Sequence, residues 1–274
     1  MAAPQNSVQL CSITGFKTLR KPLLTFIDSK RHKTAKSIIK RNLPPTHETI
    51  PSITISAAAP NRNQARRHSI GATMSPGSIT LIGQHARLTP LTQDHLAGLQ
   101  AAASDGRLWE LFFTSVPSPE NLTAWFKIAS EQRDKGLALP FTVFDQIQNT
   151  VIGTTRYCNI DSTNKRLEIG YTWYAQSYQR SAINTECKLL LLTHAFEVLD
   201  CNAVEFRTDW FNQRSQEAIE RLGAKRDGVL RSHMILPDGR VRDTVVYSIL
   251  KHEWIGVKAN LQFKLKRAAS DVST

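Results

Sequence analysis

The feature that most constrains the fold is one long apolar helical run set between two strand-like runs. RLEIGYTWY (166–174) is rich in aromatic and β-branched residues, and AVEFRTD (203–209) alternates cleanly, with Val204 and Phe206 on one side and Glu205 and Arg207 on the other. Between them, INTECKLLLLTHAFEVL (183–199) is too long and too rich in leucine for a strand. Its polar positions Glu186, Thr193 and Glu197 fall on one side while Leu189, Leu192, Phe196 and Leu199 line another, which predicts a half-buried helix. A strand, helix, strand crossover of this kind produces a parallel pair.

The elements around this unit do not repeat it. SITLIGQHARLTPL (78–91) reads as a short strand pair leading to Thr92, a helix N-cap for the run with Leu96, Leu99 and Ala103 at helical spacing. A second helical run, ENLTAWFKIASEQRDKG (120–136), places Leu122, Trp125, Phe126 and Ala129 on one face and stops at Gly136. PFTVFD, TVIGTTRYCNI and RLEIGYTWY, separated by polar turns, then predict a three-stranded antiparallel meander. After AVEFRTD come a short helix capped by Asn212 and stopped at Gly223, a hairpin turning at PDGR (237–240), and a C-terminal helix beginning near His252. The expected class is α/β in the α+β sense: a mixed, mostly antiparallel twisted sheet flanked by helices, with one parallel pair at its centre.

Charge separates this region from the residues before it. The 274-residue chain carries a net charge of +12, yet residues 1–73 hold 12 Lys/Arg against Asp28 and Glu48 alone, leaving 23 basic and 21 acidic residues after position 73. The basic segment lacks sustained periodicity, so we expect residues 1–73 to be mostly disordered and residues 74–274 to form the folded domain. Its wealth of Arg, Lys and Ser resembles an organelle transit peptide, and an extension upstream of a start at Met74 is the plainer reading. Aromatic residues are scarce among the basic ones, which makes a nucleic-acid-binding tail the least favoured alternative. No run approaches the roughly 18 apolar residues of a membrane span, so no membrane partner is expected. Four cysteines without CxxC spacing favour a reducing compartment: the cytoplasm, or an organelle matrix if the leader is a transit peptide.

Several chemistries lack their motifs. There is no GxxxxGK[ST], no GxGxxG after a strand, no HExxH and no GxSxG, and the eight histidines do not cluster at ligand spacing, so no metal is expected. The richest stretch is YQRSAINTE (178–186), at the junction of strand and long helix. If the helix starts near Ala182, the backbone N–H groups of Ser181, Ala182, Ile183, Asn184 and Thr185 lack intrahelical partners and favour anionic oxygen, a diphosphate above all. Gln179, Arg180, Ser181 and Asn184 add side-chain donors. On spacing alone a simple cap at Ser181 with a solvated Arg180 explains the same residues.

The order of elements, with the segments EIGYTW, QRSAINTE, NQRSQEAIERLGA and EWIGVKANLQFKL, resembles the GNAT acetyltransferase superfamily over about residues 78–265, and specifically its ribosomal-protein N-terminal-acetyltransferase-like (RimJ/RimL-like) branch. The resemblance implies acetyl-CoA as co-substrate, with its pyrophosphate held by the loop Gln179 to Thr185. Ala182 and Asn184 stand where the family pattern has small residues, chiefly glycine. It also implies that EIGYTW splays from its parallel neighbour, so that Tyr171, Thr172 and Trp173 contact the acetyl and pantetheine portion. An N–H there would hold the oxyanion; core packing is the other reading of Trp173.

Acetyl transfer to an amine needs a neutral amine, an oxyanion donor and a proton for the departing thiolate. Glu168 is the candidate base, because it points away from Leu167 and Ile169 beside the expected acyl group; a surface carboxylate is the alternative. The tyrosine that many family members use as acid corresponds here to Ile219. Asn212 would instead hold pantetheine and Ser215 would donate to sulfur, although the pair also reads as a plain helix cap. Expected partners are therefore acetyl-CoA and an amine-bearing acceptor, a peptide or protein α-amine first and a small amine such as a polyamine or antibiotic second. A homodimer is a candidate assembly, and a CoA-binding module without turnover is a rival reading.

Overall fold

The computed structural model describes residues 54–57 and 78–271. The leader expected to be mostly disordered lies outside the described residues except at Thr54–Ala57. That segment forms a strand, β1, antiparallel to β2 (Ile79–Ile82), with Thr54 opposite Ile82 and Ala57 opposite Ile79. Thr54 and Ile55 are β-branched, and so short a strand is outweighed in composition by the basic residues around it.

β2 turns at Gly83 into β3 (Ala86–Pro90), followed by α1 (Leu96–Ser104) and α2 (Leu122–Asp134). Gly136 then takes a left-handed φ of +70, which ends the helix as expected. The meander consists of β4 (Leu139–Asp145), β5 (Val151–Asp161) and β6 (Arg166–Tyr174). Next come α3 (Ala182–Thr193), β7 (Ala203–Asp209), α4 (Gln213–Leu222), β8 (Lys225–Ile235), β9 (Val241–Leu250) and α5 (Trp254–Asp271). The nine strands among the described residues share one sheet in the order β1-β2-β3-β4-β5-β6-β7-β9-β8, antiparallel throughout except for β6 and β7. None of the described helices is long and apolar enough to cross a membrane.

Alternation along the strands builds two cores. Leu167, Ile169 and Tyr174 of β6 join the leucines of α3, Ile219 of α4, and Trp254 and Leu261 of α5 in one cluster. Trp173 belongs to the other, with Leu99 of α1 and Leu122 and Ala129 of α2. Adjacent positions on β6 thus serve opposite layers, as the two-residue repeat of a strand requires.

α3 is not the half-buried helix its pattern predicts. Glu186 and Lys188 are each only 5% exposed and Thr193 is 6% exposed, on a helix whose residues 186–193 are all buried. The reason for Glu186 lies far away in sequence. The β2–β3 turn directs three backbone N–H groups at its carboxylate: Gln84 donates to Oε1 at 2.8 Å, and His85 and Ala86 to Oε2 at 2.7 Å each. Buried donors must be paired, so a polar residue on the wrong face of a periodicity plot becomes a core anchor.

Candidate functional site

The parallel pair is short. β6 and β7 match at Arg166–Ala203, Leu167–Val204 and Glu168–Glu205, and the register then stops although both strands continue. Beyond that point β6 pairs only with β5 and β7 only with β9 among the described residues, so the facing edges of residues 169–174 and 206–209 line a wedge that opens from Glu168.

A bulge in β6 accounts for the divergence. The partner register jumps from Arg156–Gly170 to Thr154–Trp173, so Tyr171 and Thr172 together oppose Thr155. An extra residue of this kind bends its strand and increases the local twist. Tyr171 takes φ +52, a conformation that costs a non-glycine residue roughly 1–3 kcal/mol and so must be held by its surroundings. The Arg156 guanidinium lies 4.3 Å from the Tyr171 ring centroid and 5.7 Å from that of Trp125, and donates from Nη1 to Gln132 Oε1 at 2.7 Å. Burial pushes its pKa down, with Tyr171 and Cys158 acting in the other direction.

Glu168 sits at the vertex, 7% exposed. It accepts a hydrogen bond from Asn159 Nδ2 at 2.7 Å and faces Arg207 Nε at 3.4 Å, while Arg207 Nη2 also meets Glu205 at 3.0 Å. Burial raises the Glu168 carboxyl above the usual range, and the Asn159 amide and Arg207 guanidinium pull back against it. Further along β7, Asp209 pairs with Arg240 at 2.8 Å and faces Arg242 at 3.9 Å. Asn159, Arg207 and Arg242 are not among the site residues expected from the sequence. They are isolated polar positions in three different strands, brought together only by register.

The remaining candidates ring the open end of the wedge. Past the end of β6, the loop reaches α3 through Arg180 at φ +61 and Ser181, the helix N-cap. The left-handed residue is therefore Arg180 and not the alanine or asparagine at the family's small positions. Gln179, Arg180 and Ser181 are exposed, and Ala182, Asn184 and Thr185 are half-buried. Ile183 is buried and its N–H donates to Ser181 Oγ at 3.3 Å, so one first-turn donor is already engaged. Those of Ala182 and Asn184 are left by helix geometry without an intrahelical acceptor, whereas that of Thr185 makes the first helical bond to the Ser181 carbonyl.

At the end of β7, Asn212 Oδ1 accepts the N–H of Ser215 at 3.1 Å, which opens α4. Ile219 is buried in the core, 8% exposed. On the free segment of β6, Tyr171 is 44% exposed, Thr172 half-buried, and Trp173 packed against α1 and α2 with its Nε1 buried and unpartnered. The buried thiols Cys158 and Cys187 are raised by desolvation, which leaves them poor nucleophiles. Ligand sites in sheets with parallel strands lie outside the strands' carboxyl ends, and every candidate except Glu168 lies within the last four residues of β6 or beyond the ends of β6 and β7.

Comparison with known proteins bears on the same region. A family model described as "Acetyltransferase (GNAT) domain" matches residues 85–225. The Bacillus subtilis (strain 168) protein named "Putative ribosomal N-acetyltransferase YdaF" is 37% identical over 100 residues, which is 36% of this chain and 54% of that protein; the chain thus spans about half the length of that curated relative. The "Uncharacterized N-acetyltransferase p20" of Bacillus licheniformis is 29% identical over 122 residues, covering 44% of this chain and 67% of its own. Among solved structures, a GCN5-related N-acetyltransferase from Brucella melitensis superposes with a TM-score of 0.63 at 30% identity, covering 70% of this chain and 87% of the other.

Proposed function

Since the chain belongs to the GNAT acetyltransferase family, we propose that it transfers an acetyl group from acetyl-CoA directly to the α-amine of a peptide or protein, in a ternary complex with no acyl-enzyme. The observation that carries this reading is the wedge between β6 and β7, with Glu168 at its vertex and the start of α3 at its open end. In this arrangement the first-turn amides of α3, with Gln179, Arg180 and Ser181, hold the pyrophosphate. The free edge of Tyr171 to Trp173 takes the pantetheine amides as an extra strand would, and Asn212 holds the arm from the side of β7.

The chemistry then needs two proton movements. Glu168, directly or through one water, takes the proton of the attacking amine, and burial raises its carboxyl pKa, which makes it a stronger base. As the C–N bond forms and the C–S bond breaks, the Ser215 hydroxyl donates a hydrogen bond to the departing sulfur, and the proton taken by Glu168 returns through water to the thiolate. The α-amine of a peptide is the favoured acceptor because a similar protein is named a ribosomal N-acetyltransferase, and the cytoplasm is the compartment where such an acceptor and acetyl-CoA meet.

Calorimetric titration with acetyl-CoA, followed by an assay of thiol release across a panel of peptides and small amines, tests the proposal. We expect binding and peptide-dependent release. Absence of binding overturns the proposal, release with small amines alone reassigns the acceptor, and binding without release marks a CoA-binding module, the outcome suggested by Ile219 at the family's acid position. The same titration checks the loop. Ala182 does not have a positive φ, so its methyl group carries no backbone strain and only narrows the phosphate approach. Ala182→Gly should bind acetyl-CoA as tightly as the parent or more tightly, and a large loss of affinity would remove the pyrophosphate from this loop.

A further inference from the structure

One buried cation has no place in the scheme above. Lys188 points from the middle of α3 toward β6, is 5% exposed, and makes no ion pair with any described carboxylate. Its Nζ donates to Thr172 Oγ1 at 2.8 Å, and Thr172 Oγ1 lies 2.7 Å from Thr155 Oγ1. Thr172 and Thr155 are the residues that face each other across the bulge, and Tyr171, with its strained φ of +52, is the bulge residue immediately before Thr172. A single ammonium thus ties α3 to both strands at the point where β6 leaves β7.

Packing alone does not call for this. An unpaired ammonium in a desolvated site is costly, and an unbranched apolar chain of similar length would fill the same volume without that cost. The groups around Lys188 are hydroxyls from β6 and β5 and the Cys187 thiol from its own helix, none of which is an anion in this setting. The site therefore presents positive charge beside the one segment of β6 whose edge is free.

Building on the acetyltransferase reading, we propose that Lys188 is a positioning residue for acetyl transfer: through the Thr172 hydroxyl its ammonium fixes the β6 bulge and supplies positive charge next to the acyl-binding segment. Negative charge develops on the acyl oxygen and then on sulfur as the amine attacks, and preorganised charge in a water-poor site stabilises it. Only the cationic form acts in this way. Burial brings the Lys188 pKa down to about 8, so the contribution is present below that pH and is lost as pH rises through it.

The test uses the full chain with Lys188→Met, which keeps the length and removes the charge. We expect kcat to fall by about 10- to 100-fold, with KM and Kd for acetyl-CoA within about threefold of wild type. The thermal midpoint should stay the same or rise, and the alkaline limb of the wild-type pH profile near 8 should be absent from the variant. Thr172→Val should reproduce the loss, and the double variant should add little to either single one. It also serves as the readout if Lys188→Met does not fold. Wild-type kcat in Lys188→Met, or in Thr172→Val where only that variant folds, overturns the inference and leaves the family function intact. So does a lowered thermal midpoint with unchanged kcat, which would make Lys188 a structural pin. A wild-type chain that does not bind acetyl-CoA removes both.

Discussion

Glu168→Gln should lower kcat/KM for acetyl transfer by about 10²- to 10⁴-fold, the usual contribution of a positioned general base, while leaving acetyl-CoA affinity near that of the parent. Glutamine keeps an oxygen to accept from Asn159 Nδ2, and Arg207 keeps its 3.0 Å contact with Glu205, so the local structure has little reason to collapse. The pH profile adds a second readout. Burial raises the Glu168 carboxyl, and only the ionised form accepts the amine proton, so wild-type activity should fall as pH drops through that raised pKa. The variant should lose this acid limb. A Glu168→Gln enzyme with undiminished turnover would assign Glu168 to the structural network with Asn159 and Arg207, and the search for the base would move elsewhere on the wedge.

The parts of this site that can be read from sequence are those fixed by local period and length. The leucine run between two strand signals is enough to predict the crossover, and with it the parallel pair. The Asn212 cap, the Ser181 cap and the stops at Gly136 and Gly223 follow from short-range turn chemistry. What escapes is set by register. Nothing local in EIGYTW announces that Tyr171 will take φ +52, because the bulge depends on how β6 pairs with β5. The left-handed loop position at Arg180 is hidden for a related reason, since pattern matching directs attention to residues 182 and 184.

Helix periodicity fails for the most informative residues of α3. It assigns Glu186 to a solvent face and is silent on Lys188, because each finds its partner on a different strand: Glu186 on a turn 100 to 102 residues earlier, and Lys188 on the bulge. Two charged residues two positions apart cannot share one helix face, and both lie next to a run of four leucines. That combination is the signal available in the sequence that at least one of them is buried and paired.

Glu186→Ala should destabilise the domain strongly, by roughly 3–5 kcal/mol. The carboxylate accepts three backbone N–H groups at 2.7–2.8 Å, and alanine leaves the buried N–H of Ala86 and the part-buried ones of Gln84 and His85 without it. An unsatisfied buried donor costs about 1–3 kcal/mol before any relaxation, and domains of this kind have only about 5–15 kcal/mol in total. Urea unfolding should show the loss as a lower midpoint with an unchanged slope. Glu186→Gln should recover part of it, because an amide oxygen still accepts while its NH₂ group meets donors where an acceptor is required. Gly83 belongs to the same construction: a Cβ there would overlap the Glu186 carboxylate, so the turn approaches the helix closely only because that position lacks a side chain. The contact also holds the first turn of α3, one turn from Ala182, in fixed relation to the sheet. Glu186→Ala should therefore weaken acetyl-CoA binding even at temperatures where the variant remains folded. A shift below about 1 kcal/mol would mean that water replaces the carboxylate at the turn and that the start of α3 is held by its leucines alone.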